Sequence, residues 1–161
     1  MKKKLLVLIP AALMALAGCG GGEASSTTTT TPEPELPSYK GAALTSIEDV
    51  IGASYDDQRV YSVIGKLTHV YGGSAYAGVF VANGEYAIQG YKYDALPEGV
   101  NIGDWVVLTG ARSVYDNGHC VELNYVKPAE GEAETTGIEK IDISAYKADS
   151  FGVSIADPVA D

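Results

Sequence analysis

His69 and His119 are the two histidines of a 161-residue chain. Neither belongs to an HxxxH, HExxH or CxxC spacing that would put two metal ligands on one element. His119 is followed at once by Cys120, and adjacent residues of a strand point to opposite faces. No metal site and no cofactor are expected from such a set. The acid pairs Glu48-Asp49 and Asp56-Asp57 offer carboxylates, but general acid–base work needs two whose surroundings push their pKa values apart. These pairs sit at a helix start and in a polar loop. A calcium site at Asp56-Asp57 would need several more oxygen ligands, and no EF-hand loop pattern is present. The serines lack a G-x-S-x-G elbow, and Gly72-Gly73 lacks the Lys-Ser/Thr of a phosphate loop. The residues therefore predict a non-catalytic protein.

What remains is aromatic. Eight of the eleven tyrosines lie between Tyr61 and Tyr125, and Tyr71, Tyr76, Tyr91, Tyr93 and Tyr115 fall at strand ends or in loops. Aromatic rings with amide and hydroxyl neighbours stack well on a sugar ring, a base or a peptide side chain. Tyrosine is also a favoured strand residue at half-buried positions. Which rings are free to bind depends on the elements beneath them.

Those elements are read from capping and alternation. Thr45 to Ala53 carries Thr45 or Ser46 as an N-cap, Glu48 and Asp49 in the first turn, and Ile47, Val50 and Ile51 at helical spacing, which predicts a short helix ending near Gly52. Five β-like runs follow, at Val60–Tyr71, Val79–Ala82, Glu85–Tyr91, Asp104–Arg112 and His119–Val126. Asn83-Gly84 between the second and third is a hairpin signal of the type I′ kind. Asp116-Asn117-Gly118 turns the fourth into the fifth. Val79, Val81, Tyr86, Ile88, Val106, Leu108, Val121, Leu123 and Tyr125 share one parity, and Phe80, Ala87, Gln89, Glu122 and Asn124 the other. That gives each strand one buried and one wetter face. Gly65 allows a sharp bend within the long first strand. With a longer connection from Lys92 to Gly103, the pattern predicts an all-β chain forming a small five-stranded closed barrel behind a short N-terminal helix.

Residues from about Ser46 to Lys127 resemble bacterial OB-fold domains of exported proteins and of modules beside extracellular nucleases. The likeness rests on Val60-Tyr61-Ser62-Val63-Ile64-Gly65-Lys66-Leu67 as strand one and on Gly78-Val79-Phe80-Val81 with Asn83-Gly84 as the strand two–three hairpin. It rests above all on Val100-Asn101-Ile102-Gly103-Asp104-Trp105-Val106-Val107-Leu108-Thr109-Gly110 as a V-x-x-G-D-x-V-x-V-x-G lead-in to strand four. Ligands of OB-folds bind on the strand two–three face and between the strand one–two and four–five loops. The resemblance thus implies Tyr76 in the first loop, Phe80, Gln89 and Tyr91 on the outward parity of strands two and three, and Tyr115 in the last loop as candidate ligand-binding residues. Charge departs from the nucleic-acid-binding members. From Thr45 to Pro128 there are five basic residues, Arg59, Lys66, Lys92, Arg112 and Lys127, against ten acidic ones, whereas single-strand binders pair stacking aromatics with a positive groove.

The ends of the chain read differently. Met1-Lys2-Lys3-Lys4, an uncharged run from Leu5 to Ala17 and the small residues after it make a secretory signal peptide over residues 1–18, too short to span a bilayer. Leu16-Ala17-Gly18-Cys19 resembles the lipobox of bacterial lipoproteins, which implies acylation of Cys19 and anchoring to the cell membrane or outer membrane. Cys120 is then the one remaining thiol, expected as a small buried apolar residue. Without residues 1–18 the chain holds 8 basic against 21 acidic residues, a balance that argues against a polyanion held mainly by phosphate contacts. Gly20 to Pro37, with five consecutive Thr and three Pro, cannot bury enough surface to offset its ordering entropy and is expected as a disordered tether reaching about 20–25 Å. Residues 135–161 either add strands to the barrel edge or open a further module. The expected protein is a membrane-anchored surface lipoprotein whose OB-like domain, residues 45–128, binds a saccharide or peptide. A single-stranded nucleic-acid binder and a structural module of a larger envelope protein are the alternatives. The first predicts a contiguous exposed surface of Tyr76, Phe80, Tyr91 and Tyr115, the second predicts Arg112, Lys66 and Lys92 converging on it, and the third an exposed strand edge or apolar patch.

Overall fold

The computed structural model describes residues 42–72, 77–93, 95–115 and 120–160. Cys19, the tether, Tyr76, His119 and the Asp116-Asn117-Gly118 turn lie outside the described residues.

The Ser46 Oγ accepts from the Asp49 N–H at 3.0 Å and caps α1 (Ile47–Gly52), with Glu48 and Asp49 in its first turn, the end of a helix that favours negative charge. A helix this short does not hold itself together. Ile47 and Val50 anchor it by packing into the barrel core.

β1 (Val60–Tyr71) runs antiparallel to β4 (Trp105–Tyr115) through Val60–Lys66 and to β2 (Gly78–Asn83) from Lys66 to Tyr71. The change of partner falls beside Gly65. A Cβ there would lie 2.6 Å from the Ala82 carbonyl oxygen, so the two backbones pass closer than a side chain permits. A bulge between Leu67 and His69 bends the strand further. β3 (Tyr86–Tyr91) pairs antiparallel with β2, and β5 (Cys120–Asn124) pairs antiparallel with β4 and parallel with β3. The order β1-β2-β3-β5-β4 closes back on β1. This is a five-stranded, OB-like barrel with one short helix before it.

Alternation places the core. Val79, Val81, Ile88, Val106, Leu108 and Leu123 fill the interior with Val63 and Leu67. The same parity expects a buried Tyr86, yet Tyr86 is 40% exposed. It is the first residue of β3, at the barrel rim, where its hydroxyl reaches the Glu48 carboxylate. The hairpin before it also differs from expectation. Asn83 pairs with Tyr86, so the turn residues are Gly84 and Glu85, and positive φ occurs at Gly84 (60°) but not at Glu85. That is the type II′ arrangement rather than I′.

Asn83 is instead the pin for the end of the chain. Its Nδ2 donates to the Ser154 carbonyl at 2.8 Å and its Oδ1 accepts from the Ala156 N–H at 2.8 Å. Upstream of this pin, β6 (Gly137–Lys140) pairs with Val106–Thr109 on the same side of β4 as β5. Ile141 and Phe151 then pack on Ile64 and Val107, with Leu44 and Trp105 at the margin. This second apolar cluster lies outside the barrel. It explains why Ile64 and Val107 are buried although alternation puts them on an outward face.

Candidate functional site

The outer face of β3 and β5, with the last residues of β1 and β4, carries a cleft of about 270 Å³ lined by Tyr71, Gln89, Tyr91, Tyr115, Cys120 and Glu122. Sheet register brings these residues together. One row across the outer face runs His69, Phe80, Gln89, Glu122 and Ser113, and the next joins Tyr71, Gly78, Tyr91 and Asn124. Tyr71 lies across its neighbour because Gly78 has no side chain: a Cβ there would collide with the Tyr71 ring, 2.6 Å from its Cζ.

Polar groups in the cleft are held by one another. The Gln89 amide donates to the Tyr71 hydroxyl, which leaves its carbonyl end facing the Cys120 Sγ at 4.0 Å. The Asn124 amide donates to Ser113 Oγ at 2.9 Å, and Ser113 Oγ donates in turn to a Glu122 carboxylate oxygen at 3.0 Å. This relay fixes Glu122 at the cleft wall. Among the described residues, Asn124 Oδ1 is a buried acceptor with no hydrogen-bond partner. Burial pushes the Tyr71 phenol above its ordinary pKa and the nearby Glu122 charge adds to the effect, while the Gln89 hydrogen bond opposes it. Tyr71 is a neutral hydroxyl at physiological pH.

The candidate residues from sequence divide. Gln89, Tyr91 and Tyr115 share the cleft, with Tyr115 69% exposed. Tyr115 is the last residue of β4 and pairs with Cys120, rather than standing in a loop, because β4 runs three residues past its expected end at Arg112. Phe80 stands one strand away, 37% exposed, with its ring 5.6 Å from Tyr71 and 6.3 Å from His69 between centroids. Tyr76 lies outside the described residues. Tyr71, Cys120 and Glu122 were not among the candidates. Tyr71 and Glu122 carry a weak signal, since each has the outward parity of a residue already chosen. Cys120 is half-buried in the cleft wall rather than buried as an apolar filler.

The expected convergence of cations does not occur. Arg112 is 2% exposed and spends its guanidinium on carbonyls at the end of α1, with Nε to Val50 at 2.8 Å, Nη1 to Ser54 and Asp57 at 2.9 Å, and Nη2 to Ala53 at 3.0 Å. Lys66 is paired with Asp157 and Arg59 with Asp57. Lys92 alone of the expected trio stands beside the cleft, its Nζ 5.5 Å from the Tyr91 ring centroid. Among the described residues no group of three or more His, Cys, Asp or Glu side chains is placed to hold a metal ion.

No family model and no curated protein matches the chain. Solved structures do. An aspartyl-tRNA synthetase from Entamoeba histolytica is 15% identical over 84% of this chain and 30% of its own, with a TM-score of 0.44. The telomere capping protein Ten1 from Saccharomyces pombe is 16% identical over 56% of this chain and 83% of its own, at 0.37. An OBody bound to hen egg-white lysozyme is 18% identical over 47% of this chain and 84% of its own, at 0.36. The chain spans less than a third of the synthetase. The OB-like description rests on the chain's own closed β1-β2-β3-β5-β4 strand order.

Proposed function

We propose that the barrel is a non-catalytic binding module whose cleft takes a saccharide. The observation that carries this reading is the cleft itself: Tyr71, Tyr91 and Tyr115 around Gln89 and Glu122 on the face where OB-folds hold oligosaccharides and oligonucleotides. Tyrosine rings cover the apolar side of a sugar ring, an amide donates to and accepts from its hydroxyls, and a carboxylate accepts from them. A peptide is less well served. Extended peptides bind by adding to a free strand edge, but β3 beneath the cleft is paired with β2 on one side and β5 on the other. The outlines of a surface lipoprotein, with Cys19 acylated and the Thr/Pro-rich segment as tether, come from the sequence and belong to the same proposal.

The test is a glycan screen with the purified chain, followed by calorimetry. A binder found there loses about tenfold in affinity on Tyr91→Ala, the scale of one well-placed aromatic contact. Saccharide binding that ignores both Tyr91→Ala and Tyr71→Ala sinks the assignment. Anchoring is tested separately: intact mass of the membrane-extracted protein carries the lipid, and Cys19→Ala does not.

A second reading has its own observation. The cleft lies where OB-folds stack single-stranded bases, and Lys92 caps Tyr91 at its edge. Oligonucleotide binding that weakens steeply with salt would select this reading over the first.

A further inference from the structure

β3 and β5 run parallel and end side by side, with Tyr91 opposite Asn124 and the Tyr125 N–H donating to the Tyr91 carbonyl at 2.9 Å. The segments that leave the two strands each carry a lysine. Lys92 and Lys127 line a depression of about 360 Å³ with Tyr93, Ala95, Tyr125 and Glu134. It begins where the aromatic cleft stops, since Lys92 Nζ stands against the Tyr91 ring. Lys92 has a positive φ of 67°, a conformation that costs a non-glycine residue energy and recurs at binding sites. Its N–H donates to the Ala77 carbonyl at 2.9 Å, which holds the turn in place.

Four other cations among the described residues have partners. Arg59, Lys66 and Lys140 are ion-paired and Arg112 is bonded to carbonyls. Lys92 and Lys127 form no ion pair with a described residue, although the chain carries a net charge of −10 and offers acids in excess. Glu134, the acid that lines the depression among the described residues, accepts from the Tyr125 hydroxyl at 3.0 Å. Two lysines with no ion pair among the described residues therefore line a polar hollow that continues an aromatic one.

We infer that this hollow receives a carboxylate of the ligand, so that the saccharide of the cleft is an acidic one, with a uronate-type group between Lys92 and Lys127. The inference rests on the saccharide reading of the cleft. A single carboxylate suits two lysines in an acidic protein, whereas a chain of phosphates would carry further negative charge along the cleft against Glu122.

The experiment titrates the full chain with cellotriose, maltotriose and laminaritriose, each also as the derivative whose terminal primary alcohol is oxidised to a carboxylate. At low salt one acidic trisaccharide binds about tenfold more tightly than its neutral parent, and the ratio shrinks as salt screens the lysines. In a Lys92→Gln/Lys127→Gln double variant with unchanged thermal unfolding, the acid-to-neutral ratio falls to about one. Equal binding of acid and neutral forms, or a ratio that survives the double substitution, overturns the inference while the saccharide reading stands. Failure of every trisaccharide to bind, or binding of oligothymidylate in their place, overturns both.

Discussion

The Arg112 guanidinium on β4 donates to the Val50 carbonyl at 2.8 Å across 62 positions of sequence, and with three further carbonyls it closes the C-terminal end of α1. The last carbonyls of a helix have no partner within it, and here a barrel strand supplies one planar fork for several of them. Arg112→Met leaves those acceptors buried and unpaired. The expected loss is about 3 kcal/mol, read as a lower urea midpoint with an unchanged slope. Arg112→Lys recovers only part of it, because an ammonium cannot reproduce the fork.

Ser62 on β1 and Thr109 on β4 are both fully buried and share a hydroxyl–hydroxyl hydrogen bond of 2.6 Å. Ser62→Ala or Thr109→Val alone strands the other hydroxyl, at about 1–3 kcal/mol each. The double variant removes both polar groups, and its cost falls well below the sum of the two. Urea unfolding of all four proteins measures that coupling.

Acid weakens the fold through carboxylates held below their usual pKa. Asp57 is lowered by hydrogen bonds from the Arg59 side chain and backbone and from the Tyr61 hydroxyl. Asp104 is lowered by its hydrogen bond from Lys140, and then by the Asn101 N–H. Each depressed group adds stability that is complete above its unfolded pKa of about 3.9 and disappears as pH falls through the folded value. Asp104→Asn should therefore flatten the decline of the unfolding midpoint below about pH 4. It also removes the Lys140 tie at 2.9 Å, so amide exchange along β6 should speed up above that pH. A decline as steep as in the parent protein would exclude this role for Asp104.

Gly78→Ala is expected to act on the cleft rather than only on stability. The added methyl would meet the Gly90 carbonyl and the Tyr71 ring, and of the two only the ring can swing away. Tyr71 then loses its hydrogen bond from Gln89, which NMR of the Gln89 side-chain amide reports directly. A destabilisation of about 1–3 kcal/mol accompanies the shift. An unmoved Gln89 amide in a folded variant would show that Gly78 does not position Tyr71.

The barrel was legible because strand alternation and glycine placement are local. Val60–Tyr71 has the bounds read from sequence, and of the two caps the sequence offered for the helix, Thr45 or Ser46, the structure uses Ser46. The site was legible in part. Gln89 and Tyr91 share an outward parity, but their neighbours Glu122 and Cys120 arrive through the parallel β3–β5 pairing, and no local pattern encodes which strand closes a barrel. Arg112 read as a candidate cation for the binding face because its charge is visible in sequence and its burial is not. The covering of Ile64 and Val107 was likewise hidden, since it depends on Phe151 and Ile141 returning from far along the chain.

β5 and β6 lie end to end along one side of β4, and the segment between them leaves the barrel and returns without taking part in its closure. Its base is clasped by the Thr136 hydroxyl, which accepts from the Val126 N–H at 2.9 Å. Lengthening or shortening that excursion would reshape the wall carrying Lys127 and Glu134 and leave the ring of five strands intact. The architecture thus separates the strands that close the barrel from a segment whose length the closure does not fix, and on the proposed reading an insertion there alters the ligand and not the fold.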